Sequence, residues 1–148
     1  MLRLHLSVIW AQARQRLCLR IVGPAPLTGR TDLVSGGPLE RAIDGREYPL
    51  SGGTVVTAKG GSALAVVAPE VFSLSADAGG LSLTLLRSPL LCHHDPLPAE
   101  DRPDGPLADQ GRHEFDLILA PGPALDPTGV GRLARQMLAG PIVFDLTG

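Results

Sequence analysis

Leu2-Arg3-Leu4-His5-Leu6-Ser7-Val8-Ile9-Trp10 opens the chain with Leu2, Leu4, Leu6, Val8 and Trp10 on one parity and Arg3, His5 and Ser7 on the other. Successive side chains of an extended strand point to opposite faces, so this period of two builds one apolar and one polar face. The same stretch, followed by Ala11-Gln12-Ala13, also imitates a signal peptide with a small-residue cleavage site, but its apolar run is marginal and the strand reading is preferred. Alternation resumes with Leu17, Leu19 and Ile21 against Arg16, Cys18 and Arg20, which predicts an antiparallel hairpin as the opening element.

Outward from there, residues 23–38 read as turn-rich, and residues 40–49 as a polar segment with a tight turn at Asp44-Gly45. Short runs at residues 54–57, 63–68, 71–74 and 81–86 are each strand length and closed by Gly, Pro, Asp or Ser. Residues 88–110 carry repeated Pro and Asp and read as a long loop. Residues 114–120 restore alternation, with Phe115, Leu117 and Leu119 facing one way. Asp126-Pro127 predicts an N-cap and first helical residue. Val130, Leu133, Ala134, Met137 and Leu138 then mark one helical face, and Gly140 marks the stop. Residues 141–146 read as a last strand. Many short strands at close spacing predict an all-β, mainly antiparallel β-sandwich with one short helix near the C-terminus.

Composition bounds the function classes. A chain of 148 residues, 44% hydrophobic, buries one core and makes residues 1–148 a single domain. The net charge of -2 and charged fraction of 19% exclude the basic footprint of a nucleic-acid binder and the low hydrophobicity of a disordered chain. Lys59 is the only Lys, and the bias toward Arg, Ala, Gly and Pro fits a GC-rich bacterial genome. No stretch approaches the roughly 18 apolar residues of a membrane span. Cys18 and Cys92 make no disulfide framework, which points to a reduced, cytoplasmic setting.

Local catalytic signatures are missing: no G-x-S-x-G elbow, P-loop or H-E-x-x-H helix occurs. Gly129-Val130-Gly131-Arg132-Leu133-Ala134 fits a dinucleotide-binding G-x-G-x-x-A pattern, but a Pro-rich connection separates it from the preceding strand, so it reads as a helix start. Cys92, His93, His94, Asp95, Asp109 and His113 supply nitrogen, sulfur and oxygen donors without the spacing of a defined site. A metal, if bound, would use His94, Asp95 and His113. Glu40, Asp44 and Glu47 form an acidic group around a Gly turn, where carboxylates are usually solvated or cap backbone amides. Aromatic residues amount to 3% and are scattered, which weighs against a self-sufficient sugar-binding platform.

Three stretches together resemble the C-terminal region of glycoside hydrolase family 38 α-mannosidases. They are Gly37-Pro38-Leu39-Glu40-Arg41-Ala42-Ile43-Asp44-Gly45-Arg46-Glu47-Tyr48-Pro49, Leu81-Ser82-Leu83-Thr84-Leu85-Leu86-Arg87-Ser88-Pro89 and Asp109-Gln110-Gly111-Arg112-His113-Glu114-Phe115. Their order and spacing are similar as well, and the opening strands with Trp10 extend the resemblance over roughly residues 2–145. It implies a β-sandwich of the galactose mutarotase-like supersandwich type packed behind a catalytic barrel. That barrel would carry the nucleophile and the zinc of a retaining α-mannosidase. Nothing here matches those residues, so the resemblance implies no catalytic residue and no cofactor in this chain.

The expectation is therefore a non-catalytic accessory domain that buttresses the barrel of a parent glycosidase and does not hydrolyse glycosides alone. The alternative is a free-standing β-sandwich that binds a carbohydrate or a protein partner. Arg87, on the parity of Leu81, Leu83 and Leu85, is the candidate substrate-facing residue together with Asp109; a salt bridge from Arg87 to Asp109 or Glu114 is the structural expectation. Both chain ends fall in or beside predicted strands, as in an excised domain or truncated product. Exposed sheet edges would then favour a homo-oligomer.

Overall fold

A computed structural model describes residues 1–89, 106–123 and 125–139. The described chain is mostly antiparallel β-structure in two sheets, with one helix. The larger sheet contains β1 (Leu2–Trp10), β10 (Gly111–Pro121), β7 (Ala63–Ala68), β6 (Gly52–Ala58), β3 (Leu27–Val34) and β4 (Gly37–Glu40), in that spatial order. The smaller contains β2 (Arg16–Ile21), β9 (Gly80–Arg87), β8 (Ser73–Asp77) and β5 (Glu47–Pro49).

The alternating strands close one core between the sheets. Trp10, Val56, Val66, Phe115 and Leu117 come from the larger sheet and Leu74, Leu81, Leu83 and Leu86 from the smaller. α1 (Pro127–Ala139) adds a third layer, closing a second core of Leu33, Ala65, Val67, Ile118, Val130 and Ala134 on the outer face of the larger sheet. This explains why β7 reads as an unbroken apolar run: Val66 and Ala68 face the other sheet while Ala65 and Val67 face the helix.

The helix begins as its sequence predicts. Asp126 Oδ1 accepts the Gly129 N–H at 2.7 Å, and Pro127 takes the first helical position, where its missing N–H costs nothing. Val130 and Ala134 are buried with Leu133 and Met137 packed beside them, while Leu138 is 62% exposed and lies off that face. The G-x-G pair sits inside the helix, Gly129 as its third residue and Gly131 as its fifth, not at a strand-to-helix turn. At Gly53, whose φ is +153°, a Cβ would collide with the Val66 carbonyl and come within 2.7 Å of Val130 Cγ1, so only glycine lets the helix seat here.

Four expectations are corrected. The opening hairpin does not form: β1 pairs with β10 and β2 with β9, in different sheets. Both strands turn their apolar faces to the same core from opposite sides, so alternation alone could not tell pairing from facing. The stretch read as turn-rich, residues 23–38, contains β3 and the start of β4. The run placed at residues 71–74 gives a strand that starts later, at Ser73. The parity argument for Arg87 also fails, because a register shift in the β2–β9 pairing follows Thr84 and hands the inner face to Leu86 and Ser88. Gly140 and the strand expected at residues 141–146 lie outside the described residues.

Within the core, β3 carries a buried ion pair. Arg30 Nε donates to Asp32 Oδ1 at 2.8 Å and Nη2 to Asp32 Oδ2 at 2.5 Å, both side chains being fully shielded from solvent. Thr54 Oγ1 donates to Asp32 Oδ1 at 2.7 Å, and Arg30 Nη2 reaches the Leu74 carbonyl of the opposite sheet at 3.2 Å. The Arg30 guanidinium also lies 5.6 Å from the Tyr48 ring centroid, with Arg41 4.9 Å from the same ring. This network ties the two sheets together through polar atoms.

Candidate functional site

The register shift in β9 turns Arg87 onto the outer face of the smaller sheet, opposite Arg16 of β2. Two guanidiniums directly across a strand pair repel each other unless a carboxylate intervenes. Glu47, reaching across from edge strand β5, supplies it: Oε2 accepts Arg16 Nη1 at 2.9 Å and also pairs with Arg87 Nη2. Its other oxygen, Oε1, accepts the hydroxyls of Ser73 and Thr84, each at 2.6 Å. The Glu47 side chain is 21% exposed, and this burial pushes its pKa up. The two hydroxyls and then the Arg87 guanidinium outweigh it and carry the pKa down to about 2.

The expected Arg87 partners are thus corrected. Asp109 meets Arg87 through the backbone, its Oδ2 accepting the Arg87 N–H at 2.9 Å, while Glu114 pairs with Arg112 at 2.5 Å. Asp109 adopts a left-handed φ of 52°, unusual outside glycine, and its carbonyl lies 3.1 Å from His113 Nε2. His113 in turn stacks beside Phe115, with ring centroids 6.4 Å apart. Gln110 Nε2 donates to the carbonyls of Gln12 and Ala108 at 3.0 Å. The Asp-x-Gly-x-His-x-Phe stretch therefore braces the start of β10 against the end of β9 and the β1–β2 connection.

Ser88 completes the corner. Its hydroxyl accepts from Trp10 Nε1 at 3.2 Å and donates to the Gln15 carbonyl at 3.2 Å. Its backbone N–H donates to the same carbonyl at 2.9 Å, and its own carbonyl accepts the Arg14 N–H at 2.8 Å. Among the described residues Arg14 is the other non-glycine residue with positive φ, at 56°. Arg14, Gln15, Arg16, Arg87, Ser88 and Pro89 line an open depression of about 400 Å³. At the other end of β2 and β9 lies an apolar cavity of about 330 Å³ between the sheets, lined by Ile21, Leu27, Val56, Leu64 and Leu81 among others; among the described residues no charged side chain borders it.

Of the residues singled out as metal donors, His113 is engaged with the Asp109 carbonyl, and His94 and Asp95 lie outside the described residues. Among the described residues no group of three or more His, Cys, Asp or Glu side chains is placed to hold a metal ion. Of the acidic trio, Asp44 caps its turn, Oδ1 accepting the Arg46 N–H at 3.0 Å and Oδ2 the Tyr48 hydroxyl at 2.9 Å. Glu40 ends β4, and Glu47 is the residue the turn reading misplaced. No protein-family model matches the chain, and no curated protein matches it. No described helix is long and apolar enough to cross a membrane.

The Glu47 cluster was missed in the sequence because its members are scattered over four strands. Its one legible signal is the row of polar residues at alternate positions, Arg16, Cys18 and Arg20 on β2 and Ser73 and Ser75 on β8.

Proposed function

We propose that this chain is a non-catalytic accessory β-sandwich of an α-mannosidase-like glycoside hydrolase, of the galactose mutarotase-like supersandwich type. It buttresses a separate zinc-dependent catalytic barrel, its partner, in a bacterial protein of carbohydrate metabolism working in the cytoplasm. One observation carries the reading: the stretches that resemble the family meet in one corner of the sandwich. Glu47 comes from the first, Arg87 and Ser88 from the second, Asp109 and His113 from the third, and Trp10 from β1. Residues that hold one another explain why such short stretches would recur together at fixed spacing.

The alternative of a free-standing sugar-binding module is less favoured. Among the described aromatic residues, Trp10 and Phe115 are core, Tyr48 is engaged by Arg30 and Arg41, and Phe72 alone is largely exposed, so no stacking platform forms. Two measurements test the accessory reading. The purified chain alone leaves an aryl α-mannoside unhydrolysed, and the gene's locus encodes a zinc-binding barrel upstream in frame or as a neighbouring gene. Turnover by the chain alone, or a locus without any barrel, refutes it.

A further inference from the structure

We infer that the depression beside Arg14, Arg16 and Arg87 is a binding site for a phosphate-class anion, carried on a sugar or free in solution. This inference stands apart from the accessory role, since it rests on the charge and geometry of this chain alone.

Three guanidinium-bearing residues border one opening, and neither Glu47, which bridges Arg16 and Arg87, nor Asp109, which accepts the Arg87 N–H, is among the residues that line it. Glu47 is already saturated by two hydroxyls and two arginines, so it neutralises part of the positive charge and no more. Arg14 meets no carboxylate within ion-pair distance among the described residues. Arg16 and Arg87 remain about half exposed, at 52% and 50%, and each guanidinium has five N–H donors, of which Glu47 uses a minority. An oxyanion with three or four oxygens accepts from the remaining donors and offsets the net positive charge that one Glu47 carboxylate leaves among three arginines. A neutral ligand can accept hydrogen bonds from these donors but carries no charge to offset the repulsion.

The walls are also held in place. Arg14 keeps a left-handed backbone because its N–H is tied to the Ser88 carbonyl, and Ser88 is tied back to Gln15. Arg87 is fixed from below by Asp109, the second residue in that strained region. Two non-glycine residues held in a disfavoured conformation at one corner, both beside the same arginines, fit a site whose geometry is set before a ligand arrives. A volume of about 400 Å³ accommodates a hexose phosphate.

The chain carries its own reporter. Trp10 is its one tryptophan, and the indole N–H donates to Ser88 Oγ in the floor of the depression. Titration of the intact chain with inorganic phosphate, a hexose 6-phosphate and the neutral hexose, read by Trp10 emission, is the test. Saturable change with both phosphates and none with the neutral hexose is expected. Tighter binding of the hexose phosphate assigns the sugar-borne anion, and equal binding assigns the free one. Arg14→Asn keeps a residue that tolerates left-handed backbone and removes the cation, and should weaken phosphate binding about tenfold. Arg3→Gln, on the outer face of β1, should leave it unchanged. Absence of saturation at millimolar phosphate, equal response to the neutral hexose, or an Arg14→Asn variant that binds as tightly as the parent overturns the inference.

Discussion

Glu47 shows how one residue reconciles a polar sheet face with a folded sandwich. Its carboxyl has an ordinary value of 4.5 and is carried to about 2 in the fold, so the folded state holds fewer protons than the unfolded chain between those values. The stabilisation it supplies is complete above pH 4.5 and is lost as pH falls through about 2. Asp44 and Asp77 are also lowered, the first chiefly by the Arg46 N–H and the second chiefly by Arg20, so acid weakens the chain at several points. Glu47→Gln isolates the one contribution. At neutral pH the variant should be about 2 kcal/mol less stable, having lost charge-assisted hydrogen bonds and left Arg16 facing Arg87 unneutralised. Urea titrations of both proteins at descending pH should show the gap closing below pH 4.5. A gap that stays constant down to the lowest measurable pH contradicts this assignment.

At the scale of elements, legibility followed from how much of each element obeys a simple period. β1, β7, β10 and α1 were readable because one or both faces are continuously apolar and the helix has a capping aspartate and a proline at its start. β3 was not, because its inward positions hold Arg30 and Asp32 where an alternation rule asks for apolar residues. Pairing was not readable either, since β1 and β2 show the same face pattern whether they are neighbours or opposed. The site was partly legible: Arg87 and Asp109 do lie together, but the bulge in β9 and the long reach of Glu47 across β8 have no local sequence mark. β3 itself yields a prediction. Truncating Asp32 to Ala leaves the Arg30 charge buried without its partner and should cost about 3–5 kcal/mol. The double variant Arg30→Met, Asp32→Leu removes both charges and should recover most of that loss. Urea unfolding measures both, and a single variant within about 1 kcal/mol of the parent would show that the pair does not hold the sheets.

For the whole molecule, the decisive feature is which sheet edges are defended. Among the described strands, β1 and β4 end the larger sheet and β2 and β5 end the smaller. β4 has four residues including Pro38, and β5 has three including Pro49, both short and broken by a residue that cannot donate to a ladder. β2 places Arg16 and Arg20 along its edge. β1 has nine residues and no proline, pairs on its described side with β10 alone, and exposes Leu2 and Ile9, the latter to 84%. It is the edge most open to a second strand. In isolation two copies should therefore pair β1 to β1 about a two-fold axis, continuing the larger sheet across the dimer. Sedimentation of the purified chain should show mass rising to a dimer with concentration, and Ile9→Lys should shift that equilibrium toward monomer by placing like charges near the shared edge. A single monomeric species at every concentration, in the parent chain, would mean that the edge is closed by something other than a second copy.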